Sequence, residues 1–163
     1  FSRYSFLAIQ LKPKIMQTLE FKIEINAPRE RVWDVLWNDS TYPQWTAVFS
    51  PGSRAESDWQ VGSRIHFTDP SNNGMYSLID KKVEHEYMAF KHLGVLKEGN
   101  EQPLDEESRK WAGSMETYRL SDEANKTTLE VSVDVAEDHV AMFNKAFPEA
   151  LRIVKHLSES KVE

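Results

Sequence analysis

The sequence predicts an α+β fold in which a curved antiparallel sheet of six to seven strands wraps around a long C-terminal helix. Three observations lead to this fold. A strand near the N-terminus runs straight into an amphipathic helix, alternating segments joined by short turns fill the middle of the chain, and the last segment carries a helical apolar stripe. Each predicted strand is apolar on one face only, so the helices must cover a single side of the sheet.

The first strand has an apolar residue at every second position from Leu19 to Ile25, as a half-buried strand requires. Ala27 and Pro28 end the strand, and Pro28 suits a first helical turn because its missing amide hydrogen would have no partner there. The helix that follows has an apolar stripe at helical spacing, formed by Val32, Trp33, Leu36 and Trp37. We expect both tryptophans to be structural and to pack on the sheet or on Trp45.

A second short helical turn is expected after residues 38–40. Strands are then predicted over residues 49–58, 63–69, 75–83 and 87–93. The segment 69–74, Asp-Pro-Ser-Asn-Asn-Gly, predicts a hairpin turn because asparagine and glycine adopt positive φ at low cost.

Residues 94–110 are polar, contain two glycines and one proline, and show no sustained period. This pattern predicts a long hairpin loop or a mobile lid. A last hairpin is expected from residues 111–120 and 126–135, and its second arm alternates cleanly between apolar and polar side chains. Residues 137–158 are predicted to form the terminal helix, with apolar side chains every three or four positions and Pro148 inside it.

The composition excludes several classes of protein. The chain has 163 residues, no cysteine and a formal net charge of -6. Disulfide scaffolds are thereby excluded, and binding of a nucleic-acid backbone is not expected. No apolar run approaches the roughly 20 residues of a membrane span, and no signal-peptide cleavage site is present, so we expect a cytoplasmic protein. Met16 directly precedes the first strand; residues 1–15 are therefore expected to be an N-terminal extension of uncertain origin, and residues 16–160 a single domain.

This order of elements resembles the helix-grip fold of the START and SRPBCC superfamily. The closer similarity is to the activator of heat-shock protein 90 ATPase homologues, and it is carried by IEINAPRERVWDVLWNDSTYPQWT, GSRIHF, GMYS, FKHLG and FPEALRIVKHL. It covers residues 16–157, nearly the whole predicted domain. The resemblance implies a cavity between the sheet and the last helix, and it implies no catalytic motif, because the superfamily has no universal one.

Strand and helix parity, together with this resemblance, selects the side chains expected to face such a cavity. The predicted ligand-binding residues are Phe67, Met88, Phe90, His92, Trp111, Glu116, Tyr118, Phe143, Phe147 and Leu151. Packing of a plain core is the alternative interpretation of the same pattern. His92 and Glu116 are the polar members, and a hairpin between their strands would bring an imidazole close to a carboxylate, where the pair could orient a ligand carbonyl or exchange protons. Trp111 is expected at the rim.

The sequence leaves three functions open. The first is binding of a small apolar or amphipathic molecule, such as a lipid, with residues 94–110 as a gate. The second is a co-chaperone-like interaction module with a chaperone as partner, which the resemblance suggests. The third is a cyclase- or hydrolase-type enzyme that uses His92 and Glu116. No metal site is assigned, because Glu84, His85, Glu86 and His92 match no metal-ligand spacing. No catalytic residue or cofactor is assigned either. We expect a monomer or a weak dimer.

Overall fold

An eight-stranded antiparallel sheet dominates the structure, a computed structural model that describes residues 16–160. The predicted extension, residues 1–15, lies outside the described residues, as do residues 161–163. Within the described part, no helix has the length and apolar content needed to cross a bilayer.

The strands are β1 (Met16–Ile25), β2 (Arg54–Glu56), β3 (Arg64–Thr68), β4 (Gly74–Val83), β5 (Tyr87–Lys97), β6 (Asn100–Glu101), β7 (Met115–Glu123) and β8 (Lys126–Ala136). The helices are α1 (Arg29–Trp37), α2 (Tyr42–Thr46), α3 (Glu106–Arg109) and α4 (Val140–Glu159), and a 3-10 turn over Glu137–His139 leads into α4. The sheet order is β1-β8-β7-β5-β4-β3-β2, and β6 pairs with β5. This arrangement confirms the predicted α+β fold.

One face of the sheet is covered by α4 and α1. Along β8 every second side chain from Leu129 to Val135 is buried, as the alternating sequence predicts. α4 continues through Pro148 and buries Ala146, Phe147, Ala150, Leu151 and Val154. The Phe147 ring stacks on Phe21 of β1 at a centroid distance of 4.9 Å, which fixes the helix against the edge of the sheet.

The junction between β1 and α1 follows the sequence prediction with a shift of one position. Pro28 occupies the N-cap position with extended backbone angles, and the helix begins at Arg29. The buried hydroxyl of Thr127 on β8 donates to the carbonyl oxygen of Ala27 at 2.7 Å. This hydrogen bond satisfies a buried backbone acceptor and joins the start of α1 to the sheet.

The structure refines two of the sequence predictions about the middle of the chain. Seven strands form the order of the sheet, as predicted, and the short β6 pairs with β5 as an eighth. The loop within residues 94–110 is shorter than predicted, because β5 continues to Lys97 and pairs with β6. Gly94 lies directly against Tyr76, where an added Cβ would sit 2.5 Å from the phenol oxygen, so this glycine serves close packing within a strand.

The rest of the segment 94–110 is also ordered by hydrogen bonds. The Tyr76 hydroxyl donates to the carbonyl oxygen of Gln102 at 3.0 Å. α3 begins with a capping box, in which the Ser108 amide donates to Asp105 Oδ1 at 2.7 Å and the Asp105 amide donates to Ser108 Oγ at 2.9 Å. The segment therefore forms a hairpin and a helical turn packed on β5.

Substitution of Gly74 by alanine is expected to destabilise the protein. Gly74 begins β4 opposite Thr68, and a Cβ there would collide with the backbone carbonyl oxygen of Phe67, which cannot rotate away as a side chain would. We expect the free energy of unfolding, measured by urea titration, to fall by about 1–3 kcal/mol. Ser71→Ala in the same turn is the control and should change it by less than about 0.5 kcal/mol. Equal effects of the two substitutions would contradict this account.

Candidate functional site

A cavity of about 590 Å³ lies between the inner face of the sheet and the helices α2 and α4. Its volume falls within the range of sites that bind small molecules, roughly 300–1,000 Å³. Close packing normally leaves few voids larger than a water molecule inside a domain of this size. The cavity is therefore the main candidate for a functional site.

Aromatic rings form the inner end of the cavity. Trp37 of α1 meets Phe90 of β5 at a centroid distance of 5.3 Å and Tyr118 of β7 at 4.9 Å, both edge to face. Tyr42 and Trp45 of α2 meet each other at 5.5 Å and complete this wall. All five rings line the cavity and are buried.

The outer end of the cavity is polar and reaches solvent. Asn73 in the turn between β3 and β4, Glu107 on α3 and His139 before α4 all line it and are exposed. Trp111 is half-buried beside them, directly after α3. Its position is fixed by a tight turn, in which the Ser114 amide donates to the Trp111 carbonyl oxygen at 3.0 Å.

The structure brings eight of the ten sequence-predicted site residues to the cavity wall. These are Phe67, Phe90, His92, Trp111, Glu116, Tyr118, Phe143 and Phe147. Met88 and Leu151 do not line it: Met88 is 0% exposed and Leu151 2% exposed, and both belong to the closed core. Parity places Met88 on the inner face, but there it lies beside Trp33 and Trp37 of α1 and away from this cavity.

Many residues of the wall were not predicted from the sequence, including several large apolar ones. Trp37, interpreted as structural, packs on Trp45 as expected but also lines the cavity, and Tyr42, Trp45, Phe49 and Met75 join it there. For Tyr42 and Trp45 the sequence did contain a usable pattern. Their spacing on one short helix places both side chains on the same side of it.

The polar pair of the wall consists of His92 on β5 and Glu116 on β7. Nε2 of His92 lies 3.9 Å from Oε2 of Glu116. Nδ1 of the imidazole forms a 2.7 Å hydrogen bond with Oγ of Ser77, which orients the ring. The Tyr118 hydroxyl donates to the Glu116 carboxylate from two residues further along the same strand. Strand parity predicted this proximity.

Burial shifts the pKa values of both members of the pair towards their neutral forms. It raises the pKa of Glu116 to about 7, against a smaller opposing effect of the hydrogen bond from Tyr118. It lowers the pKa of His92 to about 4, against the opposing charge of Asp134. His92 is therefore a neutral imidazole at neutral pH, and Glu116 is poised to gain or lose a proton near pH 7.

Two further polar atoms of the wall lack a partner within the described residues. Nε1 of Trp37 and Oγ1 of Thr68 are buried and form no hydrogen bond there. Both residues line the cavity. Unsatisfied buried groups are uncommon in native proteins and call for an explanation at each site.

The chain matches one described protein family. The profile of the family "Activator of Hsp90 ATPase homolog 1-like protein" matches residues 26–157. Comparison with curated protein sequences gives no match.

Solved structures similar to this one share its fold. A protein of Mesorhizobium loti is 12% identical with a TM-score of 0.67, over 90% of this chain and 100% of its own. The Aha1 dimer of Colwellia psychrerythraea is 17% identical with a TM-score of 0.64, over 90% of this chain and 99% of its own. CalU16 of Micromonospora echinospora is 15% identical with a TM-score of 0.62, over 88% of this chain and 77% of its own. At these identities the likeness concerns the fold alone.

Proposed function

We propose that this chain, which belongs to the family of activator of Hsp90 ATPase homolog 1-like proteins, binds a small, largely apolar or amphipathic molecule between its sheet and α4. The observation that carries this proposal is the cavity of about 590 Å³, which has an aromatic inner end and a polar outer end. An amphipathic molecule would place its apolar body on the rings and its polar group towards the carboxylate, the imidazole or the mouth.

The polar atoms of the wall favour a ligand-binding cavity over an empty packing defect. An imidazole with a shifted pKa, a carboxylate with a shifted pKa and two unpaired polar atoms all face or border one cavity. Each of the two unpaired atoms lowers the stability of the empty protein, because a desolvated polar group costs about 1–3 kcal/mol when it has no partner. In a core that binds no ligand, apolar side chains would be expected at the positions of these polar groups.

Nile red, a neutral apolar dye that brightens in apolar surroundings, tests the proposal. The protein should bind one dye, and Met75→Trp should weaken binding at least about tenfold because the larger ring fills the cavity. Met75 is half-buried and lines the cavity. Met142→Trp is the matched control, since Met142 is 47% exposed on α4 and lies outside the cavity wall; its dissociation constant should not change.

Two results would contradict the proposal: no binding of Nile red, or an equal effect of both tryptophan substitutions.

The family name and the likeness to the Aha1 dimer favour contact with the chaperone Hsp90 as a second candidate function. If the wild type and Met75→Trp raised the ATPase rate of Hsp90 equally, that second candidate would be supported instead. A cyclase- or hydrolase-type reaction at His92 and Glu116 would require the same binding step in the same cavity.

A further inference from the structure

Taking the proposed function as its basis, we infer that the ligand of the cavity is an amphipathic organic cation: an aromatic or otherwise apolar body that carries a protonated amine. Its apolar body would lie on the rings of α1, α2, β5 and β7. Its ammonium group would meet the carboxylate of Glu116.

The charges of the wall favour a cation. Four carboxylates line the cavity, those of Asp69, Glu107, Glu116 and Asp134, whereas no lysine or arginine among residues 16–160 does so. The two basic residues of the wall are histidines. His92 is neutral at neutral pH, and His139 lies exposed at the mouth with Nδ1 3.5 Å from Asp138. Low-dielectric walls concentrate a field of one sign, so an anionic ligand such as a fatty acid is disfavoured.

Glu116 is the carboxylate suited to contact the ligand. Asp69 Oδ1 already accepts the amides of Ser71 and Asn73. Asp134 accepts the Thr18 hydroxyl at 2.6 Å and the Met115 amide at 2.9 Å. Glu116 accepts the Tyr118 hydroxyl and lies deeper, opposite Phe90 in the strand register, and a carboxylate has room for further donors.

The rings around Glu116 provide a second attraction for a positive charge. Phe90 and Tyr118 flank the carboxylate on β5 and β7, and Trp37 packs on both of them. Burial and, as a smaller effect, the nearby charge of Glu116 raise the pKa of Tyr42. A cation over such rings gains from their negative faces, and most strongly so where water is excluded.

The lining around Glu116 thus offers a carboxylate and π faces, which together suit an amine better than an alcohol or an acid.

Tryptamine, tryptophol and indole propionate test the inference, because they present an amine, an alcohol and a carboxylate on one aromatic body. Calorimetric titration should give the order amine, alcohol, carboxylate, with tryptamine at least about tenfold tighter than tryptophol. Glu116→Gln keeps the shape and removes the charge; it should abolish the preference for tryptamine and leave the affinity for tryptophol unchanged. Glu149→Gln is the control, since Glu149 is exposed on α4 and lies outside the cavity wall; its effect should be less than about twofold.

A proton count gives an independent readout. A cation beside Glu116 favours its ionised form, so tryptamine binding at about pH 6 should release protons in the wild type and none in Glu116→Gln. Tryptophol binding as tightly as tryptamine would overturn the inference and leave the proposed function intact. Failure of all three compounds alongside normal binding of Nile red would overturn it as well, whereas failure of Nile red too would remove the proposed function.

Discussion

Replacing Trp45 by alanine is expected to lower the free energy of unfolding by about 3–5 kcal/mol. The indole is 2% exposed, and its Nε1 donates to the carbonyl oxygen of Leu36 at 3.1 Å. It meets the rings of Trp37, Tyr42 and Tyr118 edge to face at 6.4, 5.5 and 6.2 Å. Alanine would remove these contacts and leave a buried carbonyl without its donor. Urea unfolding followed by circular dichroism measures the loss.

Two further variants separate the contributions of packing and hydrogen bonding at Trp45. Trp45→Phe keeps most of the ring but leaves the Leu36 carbonyl unpaired, so we expect a loss of about 1–3 kcal/mol. Trp59→Ala removes a half-buried indole that contacts Trp37 at 5.8 Å, and its effect should be smaller than that of Trp45→Ala. If Trp59→Ala destabilised the protein as much as Trp45→Ala, Trp45 would not have the central packing role assigned to it.

The elements predicted well from the sequence are those determined by local chemistry. β8 alternates apolar and polar side chains without interruption, and α4 carries its apolar stripe for five turns. The turn at residues 69–74 has Asn72 at a positive φ of 61°. The end of β5 was missed because Gly94 indicates a loop by composition. Its reason for being glycine is the ring of Tyr76 on the neighbouring strand, which no local pattern reveals.

The same limit applies to the site. Strand parity assigned His92 and Glu116 to the inner face, and the register of β5 and β7 then brings them to 3.9 Å. The alternation of side chains along a strand does not predict how far each helix extends across that face of the sheet. Met88 is buried beside α1, whereas Trp37 of α1 borders the cavity, and both positions depend on how α1 packs in three dimensions.

Glu116 is expected to make the protein less stable as pH rises. Its pKa is about 7 in the folded protein against 4.5 for an ordinary glutamate, so between these values the folded state binds more protons than the unfolded state. Stability must then fall with rising pH through this range. The difference corresponds to about 2–3 kcal/mol when the 18% exposure of the side chain is allowed for.

His92 is expected to act in the opposite direction. Its pKa is about 4 in the folded protein against an ordinary 6.5, so between these values the unfolded state binds more protons. The contribution of the neutral imidazole is complete above the ordinary value and is lost as pH falls through 4. Over the interval that the two groups share, their slopes oppose each other, and the wild type should show little net dependence from this pair.

Single substitutions should reveal how the stability contributed by each of the two groups depends on pH. Relative to the wild type, Glu116→Gln should gain about 2–3 kcal/mol of stability between about pH 4.5 and pH 8, because only the wild type must bury the carboxylate charge. His92→Gln should gain a similar amount as pH falls from about 6.5 to 4, because only the wild type must bury an imidazolium. Urea titrations at a series of pH values measure both differences, and contributions common to the three proteins cancel. Difference curves without slope would show that Tyr42, Tyr118, Asp134 or water in the cavity compensates these charges, and that the pair is not held neutral by burial.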